Sequence, residues 1–212
     1  MDSTGLPQSN EQDVERTVDG RTLRRTRNRT AVIVALLDLI SEGNLEPSTG
    51  DIAERAGVSD RSIFRYFDDL DDLVRTTINH AIAEAQVYGA VEELGDGTLE
   101  QRIERFLDAR IRLFLRMDGP LRVARMRADT IPSIDTEFAA IMELTRRLVR
   151  TQFGPELDAH PQPQRDQLTD AVVVFAAYDT FAIHTRMLRN STQQMRESLI
   201  TALTALLTSP VR

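Results

Sequence analysis

The feature that most constrains this chain is residues 48–67, which predict two short helices joined by a glycine turn. Ser48 can cap the first helix through its hydroxyl, and Asp51 then lies in the first turn, where the helix dipole favours a carboxylate. Gly57 supplies the residue past the helix end that tolerates a positive φ, and Ser59 is the predicted cap of the second helix. The segment therefore predicts a helix-turn-helix.

The apolar residues of this segment fall on one side of each predicted helix. Ile52, Ala53 and Ala56 form the stripe of the first helix, while Ile63 and Phe67 lie four residues apart on the inner side of the second. The residues left facing outward on the second helix are Asp60, Arg61, Ser62, Arg65 and Tyr66. A face that mixes arginine, serine and tyrosine suits a groove of DNA.

These residues carry a family resemblance. The chain resembles the TetR family of transcriptional regulators through Ile52-Ala53-x-x-Ala56-Gly57-Val58-Ser59, Ile63-Phe64-x-Tyr66-Phe67 and Leu73. Residues 29–43 resemble the first helix of that family, so about a third of the chain is covered. The resemblance implies an N-terminal DNA-binding domain, a C-terminal domain with an effector pocket, and a dimer built on the last two helices.

Charge is unevenly distributed along the chain. The net charge is −7, whereas residues 21–30 hold five arginines and no acid. A basic arm directly ahead of a helix-turn-helix can follow the DNA backbone or reach the adjacent minor groove. A solvated, disordered arginine tail is the alternative, and the position beside the helix-turn-helix favours DNA.

Each outward residue of the second helix has a predicted partner on DNA. Arg61 is assigned to base edges and Ser62 to a base or a phosphate. Phe64 either lies against a thymine methyl group or packs in the core. Tyr66 is assigned to a phosphate through its hydroxyl, and Ser48 and the first amides of the first short helix are assigned to phosphates as well. The full predicted set is Arg24, Arg25, Arg27, Arg29, Ser48, Thr49, Ser59, Asp60, Arg61, Ser62, Phe64, Arg65 and Tyr66.

Two positions depart from the family pattern. Arg61 stands where most members have a small residue, and Leu70 stands where most have a phosphate-binding lysine. Four carboxylates flank Leu70, namely Asp68, Asp69, Asp71 and Asp72. Because carboxylates near phosphates are unfavourable, a second interpretation stays open, in which the chain is a helical adaptor for a protein partner with weakened DNA binding.

No segment shows the alternation of a strand, so the predicted fold is all-α with about nine helices. The predicted organisation is a disordered tail over residues 1–20, a helix-turn-helix domain with its basic arm over 21–68, and a helical effector-binding and dimerisation domain over 69–212. Gly43 ends the first helix. The first helix is expected at about 23–42, and a long helix is expected to begin near 70. A helix over about 99–117 is followed, after a break at Gly119-Pro120, by a short helix that ends near 128. The last three helices are expected at about 131–153, 165–189 and 191–209.

The last two predicted helices carry little polar surface. Residues 171–177 are apolar nearly all round, and the last helix repeats Leu199, Ile200, Leu203, Leu206 and Leu207. Such helices need cover on more than one side. A second copy that forms a four-helix bundle is the predicted cover, and burial within one chain is the alternative.

A set of apolar and aromatic residues in the second half could line the effector pocket, although such residues are more often ordinary core. They are Phe106, Phe114, Met117, Met126, Phe138, Met142, Phe175, Tyr178, Phe181 and His184. Tyr178 and His184 are the polar groups best placed to orient a small molecule, although a satisfied buried histidine is the simpler interpretation of His184. Arg122, Arg125 and Arg127 could pair with an anionic effector or be salt-bridged.

Other classes of protein find little support in the sequence. There is no glycine-rich phosphate loop, nucleophile elbow or paired-histidine motif, so an enzyme is not predicted. Cysteine is absent, and His80, His160 and His184 are too scattered for a metal site, so neither metal nor cofactor is expected. Without a signal sequence or an apolar run of membrane length, the cytoplasm is the expected location. The predicted function is a homodimeric repressor that a small molecule releases from a palindromic operator.

Overall fold

The computed structural model describes residues 9–85 and 88–209, with side chains from residue 22 onward. Within these ranges the chain forms ten α-helices and one π-helical turn, without a strand, which confirms the all-α prediction. None of the described helices is both long and apolar enough to cross a bilayer. The chain divides into two compact units between Thr77 and Ile78, inside the fourth helix and nine residues beyond the predicted boundary.

The first unit contains α1 (Ser9–Ser41), α2 (Thr49–Ala56), α3 (Asp60–Tyr66) and the first half of α4 (Leu70–Ala85). Helix α1 is longer than predicted, because its backbone is helical back to Ser9 where a disordered tail was expected. No proline interrupts residues 9–41, so the sequence allows one continuous helix. Residues 1–8 of that predicted tail lie outside the described residues.

The core of the first unit forms where α1 packs on α2 and α3. It is built from one stripe of α1 and the inward residues of the two short helices: Val32, Ile33, Leu36, Leu39, Ile40, Ile52, Ala53, Ile63 and Phe67. Gly43 follows the end of α1 and Gly57 ends α2, as predicted, and both have a positive φ. Burial of this apolar stripe holds the two short helices at fixed positions on α1.

The second unit contains the rest of α4 and six further helices, α5 to α10. Their bounds are α5 (Leu99–Arg127), α6 (Pro132–Gln152), α7 (Gly154–Asp158), α8 (Gln164–Phe175), α9 (Tyr178–Ala182), which runs into the π-helical turn Ile183–Met187, and α10 (Thr192–Leu207). Helices α5, α6 and α10 begin at the predicted places. Capping boxes start two of them, Thr98 with Gln101 before α5 and Ser191 with Gln194 before α10.

The predicted break at Gly119-Pro120 is wrong, because α5 continues through Pro120 to Arg127. Proline inside a helix costs about 3 kcal/mol relative to alanine. Residues on both sides of it, including Met117, Leu121 and Ala124, are buried in the unit's core. Burial of a side chain of this size stabilises by about 1.5–3 kcal/mol, so packing offsets the local penalty.

The predicted single helix over 165–189 is also wrong. Helix α8 ends at Phe175, and α9 begins at Tyr178 after Ala176 and Ala177. Two side chains donate hydrogen bonds to carbonyl groups that backbone amides would use in a continuous helix. Arg110 donates through Nε to the Ala176 oxygen at 3.0 Å, and Thr180 donates to the Val174 oxygen at 2.7 Å. A residue on α5 therefore contributes to the interruption of a helix that is unbroken in the sequence pattern.

A buried polar network joins α5 to the end of α6 and to α7. Arg102 donates to both carboxylate oxygens of Glu156, at 2.8 and 2.5 Å, and to the Gln152 carbonyl at 2.8 Å. Gln152, fully buried, donates to the Arg102 carbonyl and accepts from the Gly95 amide. Every strong donor and acceptor named here is paired, which makes the network a specific clamp between these elements.

Candidate DNA-binding surface and effector cavity

Helix α2 begins with the predicted cap, which is reciprocal. The Asp51 amide donates to the Ser48 hydroxyl at 3.2 Å, and the Ser48 amide donates to the Asp51 carboxylate at 2.9 Å. The Ser48 hydroxyl also donates to that carboxylate at 2.7 Å, and this bond lowers the pKa of Asp51. The hydroxyl is thus engaged in the cap. The amides of Thr49 and Gly50 have no hydrogen-bond partner among the described residues, and free amides at the N-terminus of a helix can bind an anion.

Helix α3 begins at Asp60, one residue after Ser59, but Ser59 does not cap it as predicted. The Ser59 hydroxyl lies 2.9 Å from the Ser62 hydroxyl instead of bonding a backbone amide. Arg61 is exposed, and its guanidinium has no hydrogen bond or ion pair within the described part of the chain. Its five donors therefore remain available to an external acceptor.

Phe64 occupies the middle of α3 and is 54 % exposed. Core packing, one of the two alternatives for this residue, is therefore excluded. An aromatic ring that faces solvent beside the unpaired Arg61 is the type of apolar group that contacts a thymine methyl in the major groove.

Tyr66 does not face outward as predicted, since only 7 % of its surface is exposed. It lies three residues after Ile63 and so shares the buried side of α3. The hydroxyl accepts from Asn28 of α1 at 3.2 Å and from Arg65 at 2.8 Å, and these two hydrogen bonds, the first above all, lower its pKa. Because both partners donate, the hydroxyl's own proton is free to donate elsewhere.

Asn28 was missed by the sequence analysis. It carries no charge and lies among five arginines, which drew attention instead. Its distance from Tyr66 in sequence is 38 residues, and only the packing of α1 against α3 brings the two side chains together.

The predicted basic arm is part of α1. Arg24, Arg25 and Arg27 are exposed and have no hydrogen bond or ion pair within the described residues, whereas Arg29 is half-buried with its guanidinium 4.7 Å from the centre of the Phe67 ring. An α-helix is about 10–12 Å wide and the minor groove about 6 Å. Of the two predicted modes, contact with the DNA backbone therefore fits this segment and minor-groove insertion does not.

Acidic side chains after α3 are partly used within the chain. Asp69 accepts from the Asp72 amide at 2.7 Å and so caps the start of α4. The Asp72 carboxylate accepts from the Asp68 amide at 3.2 Å and pairs with Arg75 at 2.6 Å. Two of the four carboxylates thus organise the turn into α4 and do not form a free acidic patch.

Comparison with known proteins finds a family that this part of the chain resembles. The family described as bacterial regulatory proteins, tetR family, matches residues 32–77, which span the packed half of α1 through the first half of α4. These residues are similar to the N-terminal domain of that family. The match covers the helix-turn-helix segment and the helices that flank it.

Solved structures extend the likeness to most of the chain. A transcriptional regulator from Rhodococcus sp. Rha1 is 16 % identical, with a TM-score of 0.65, and the match covers 84 % of this chain and 95 % of that one. The multidrug-binding protein EbrR, solved with imidazole, is 18 % identical with a TM-score of 0.62, covering 89 % and 92 %. At this identity the likeness shows a shared fold. No curated protein matches the sequence.

The second unit brings together only some of the predicted pocket residues. One small cavity is lined by Phe114, Phe175 and Phe181. The centroids of the Tyr178 and Phe114 rings are 5.7 Å apart. The others lie elsewhere: Phe106 packs edge-on against Phe153, Met117 is buried, Met126 is exposed, Phe138 lies beneath Arg125, and Met142 is half-buried.

The cavity is small, about 10 Å³, which is room for about one water molecule. Beside the three phenylalanines it is lined by Leu107, Arg110, Ile111, Ala177, Met195 and Leu199. Sequence reasoning missed Arg110, the charged residue of this lining. The signal was present, since Arg110 interrupts an otherwise apolar stripe of Phe106, Leu107, Ile111 and Phe114 at helical spacing.

The two predicted ligand-orienting groups are already bonded within the chain. Tyr178 donates to the Asp118 carboxylate at 2.8 Å, and burial together with that carboxylate raises its pKa. Arg186, in the π-helical turn, bonds both of them. His184 Nδ1 lies 3.0 Å from the side-chain nitrogen of Asn190, as expected for a satisfied histidine. Among the described residues, no group of three acids or histidines is arranged to hold a metal.

Proposed function

We propose that this regulator is a homodimeric repressor that binds a palindromic operator and is released by a small molecule. The observation that carries the DNA half of the proposal is the outer surface of α3. There Arg61 and Phe64 are exposed and unpaired, for base contact, beside a Tyr66 hydroxyl whose proton is free for a phosphate.

The basic segment of α1 supplies the charge that Leu70 does not. Arg24, Arg25 and Arg27 are free to neutralise phosphates, and Asn28 fixes the Tyr66 hydroxyl from the same turn of helix. We therefore assign α1 to the DNA backbone and α3 to the major groove. In a twofold dimer, two such helices reach successive major grooves about 34–36 Å apart.

The proposed dimer contact is the apolar surface left on the segment from α8 through the π-helical turn. Val174, Ile183, Met187 and Leu188 are exposed there, Met187 by 78 %. In α10 the residues Met195, Leu199, Leu203 and Leu207 are buried within the chain, as the single-chain alternative required, while Ile200 and Leu206 are half-buried. A second copy is the proposed cover because α10 and this segment meet in a four-helix bundle in the family that the chain resembles.

Effector release requires a molecule that binds better to a dimer whose recognition helices are wrongly spaced for two grooves. The likeness in fold to EbrR, a multidrug-binding protein solved with imidazole, supports a small-molecule site in the second unit. Operator and effector must then weaken each other's binding by the same factor, because the coupling free energy is reciprocal.

The adaptor alternative rested on the acidic segment after Phe67. It is weakened because Asp69 and Asp72 serve the turn into α4 and Arg75 neutralises part of their charge. The regulator is therefore the function that the geometry supports best.

Selection of bound duplexes from a random DNA pool tests the DNA half of the proposal. We expect an imperfect palindrome whose half-sites lie about one helical turn apart, bound with an affinity that falls steeply with salt. Recovery of no enriched sequence, or of a single half-site at all protein concentrations, would contradict it.

Sedimentation analysis tests the dimer. Met187→Glu places a charge in the proposed contact and is expected to shift the chain toward monomer. Met126→Glu is the matched control, since Met126 is also exposed, on α5, and lies outside the proposed surface. A wild-type chain that is monomeric at micromolar concentration, or equal effects of both substitutions, would rule out this surface.

A further inference from the structure

Two arginines of the described chain are buried, and they differ in whether a carboxylate lies nearby. Arg102 and Arg110 both lie on α5, about two turns apart, with 4 % and 8 % of their surface exposed. Arg102 has the Glu156 carboxylate at 2.5 Å. Arg110 has no carboxylate within ion-pair distance among the described residues.

The bonds that Arg110 does make account for one edge of its guanidinium. Nε donates to the Ala176 carbonyl at 3.0 Å, and the group lies 4.6 Å from the centre of the Phe114 ring. The two terminal nitrogens have no hydrogen-bond partner in the part of the chain that the structure describes. These nitrogens form the fork that matches a carboxylate.

A buried cation without a counter-ion is costly, and proteins pair almost all of them. Desolvation lowers the pKa of Arg110 to about 10, which leaves the side chain charged at neutral pH. The cost is therefore not relieved by loss of the proton. An anion from outside the chain would relieve this cost by giving Arg110 a counter-ion, as Glu156 does for Arg102.

The surroundings of Arg110 indicate what else that anion carries. Arg110 lines the small cavity together with three phenylalanines and with Leu107, Ile111, Met195 and Leu199. Each of these neighbours is apolar, so the rest of the molecule must be apolar. One guanidinium neutralises one negative charge, which favours a monocarboxylate over a dianionic phosphate.

We propose that the effector of this regulator is an apolar monocarboxylate, an alkanoate or aryl-alkanoate, whose carboxylate pairs with Arg110 and whose body enters the cavity between α5, α8, α9 and α10. This inference rests on the proposed function. The cavity must enlarge to admit such a molecule, and the break at Ala176 and Ala177 between α8 and α9 lies directly at its edge.

Of the three arginines predicted from the sequence to meet an anionic effector, Arg122 does not line this cavity, and the other two are engaged within the chain. Arg125 is paired with Asp179 and covers the Phe138 ring, and Arg127 also has a partner within the chain. Arg110 combines burial, unpaired donors and a neighbouring cavity.

Titration calorimetry of the full-length chain tests the proposal with hexanoate, octanoate, 3-phenylpropionate and 4-phenylbutyrate, each beside its neutral amide. We expect at least one acid to bind at least about tenfold more tightly than its amide, the range that charge-assisted hydrogen bonds give. An equal affinity of acid and amide throughout the series, or binding of neither, would overturn the proposal.

Variants separate Arg110 from other cationic groups. Arg110→Met should abolish the preference for the acid, whereas Arg112→Gln, an exposed arginine on the same helix, should leave it unchanged. Should Arg110→Met fail to fold by circular dichroism, Arg110→Lys keeps the charge without the fork and should bind the same acid more weakly than wild type. Full acid preference in Arg110→Met, or unchanged acid affinity in Arg110→Lys, would overturn the assignment.

A DNA-binding arm distinguishes failure of this inference from failure of the proposed function. Release of operator DNA by a neutral molecule with no effect of the acids would leave the repressor intact and reject the carboxylate. Acid binding through Arg110 that leaves operator affinity unchanged would keep the site and reject its role as the effector site.

Discussion

Substitution of Arg61 by alanine tests whether α3 reads bases. Arg61 is exposed and unpaired within the described chain, so its removal should change the free energy of unfolding by less than about 0.5 kcal/mol. A bidentate contact between arginine and guanine contributes about 1–3 kcal/mol of discrimination. The expected loss of operator affinity is therefore about 5- to 150-fold for each half-site, at about 1.4 kcal/mol for each factor of ten.

The assay is fluorescence anisotropy with the selected operator and with a random duplex of equal length, at several salt concentrations. Arg61→Ala should weaken operator binding strongly and random binding little. Arg27→Ala, from the exposed segment of α1, is the matched control and should weaken both duplexes alike while reducing the salt slope by about one. Equal losses on both duplexes for Arg61→Ala would refute base reading by this residue.

Three further predictions concern the hydroxyl, the buried network and the turn. Operator binding should weaken as pH rises toward the lowered pKa of Tyr66, because ionisation replaces a donor to phosphate with a negative charge. This pH dependence should be absent in Tyr66→Phe. Operator affinity of the wild type that does not change with pH would contradict the role of the hydroxyl. Glu156→Gln leaves the buried Arg102 without its counter-ion and should lower the free energy of unfolding by about 3–5 kcal/mol in urea, whereas a change below about 1 kcal/mol would show that solvent replaces the pair. Gly57→Ala should destabilise by about 1–2 kcal/mol through its positive φ alone, since no atom lies within 4 Å of the added carbon, while Gly50→Ala inside α2 should be neutral or stabilising in the same melts.

The sequence alone determined the helix-turn-helix, because its signals are local. The Ser48 cap, the left-handed glycine at 57 and the spacing of Ile63 and Phe67 each act within one or two turns of helix. Such signals do not depend on distant parts of the chain, so the starts of α2 and α3, the turn at Gly57 and the capping of α2 followed from the residues.

The tertiary structure decided where distant side chains meet. Tyr66 was expected at the surface, yet its ring is buried and Asn28 reaches its hydroxyl across 38 residues. Packing carries α5 through Pro120, and Arg110 helps to interrupt the helix after Phe175. These outcomes depend on contacts between residues far apart in sequence, whose free energies exceed the local preferences from which a sequence can be interpreted.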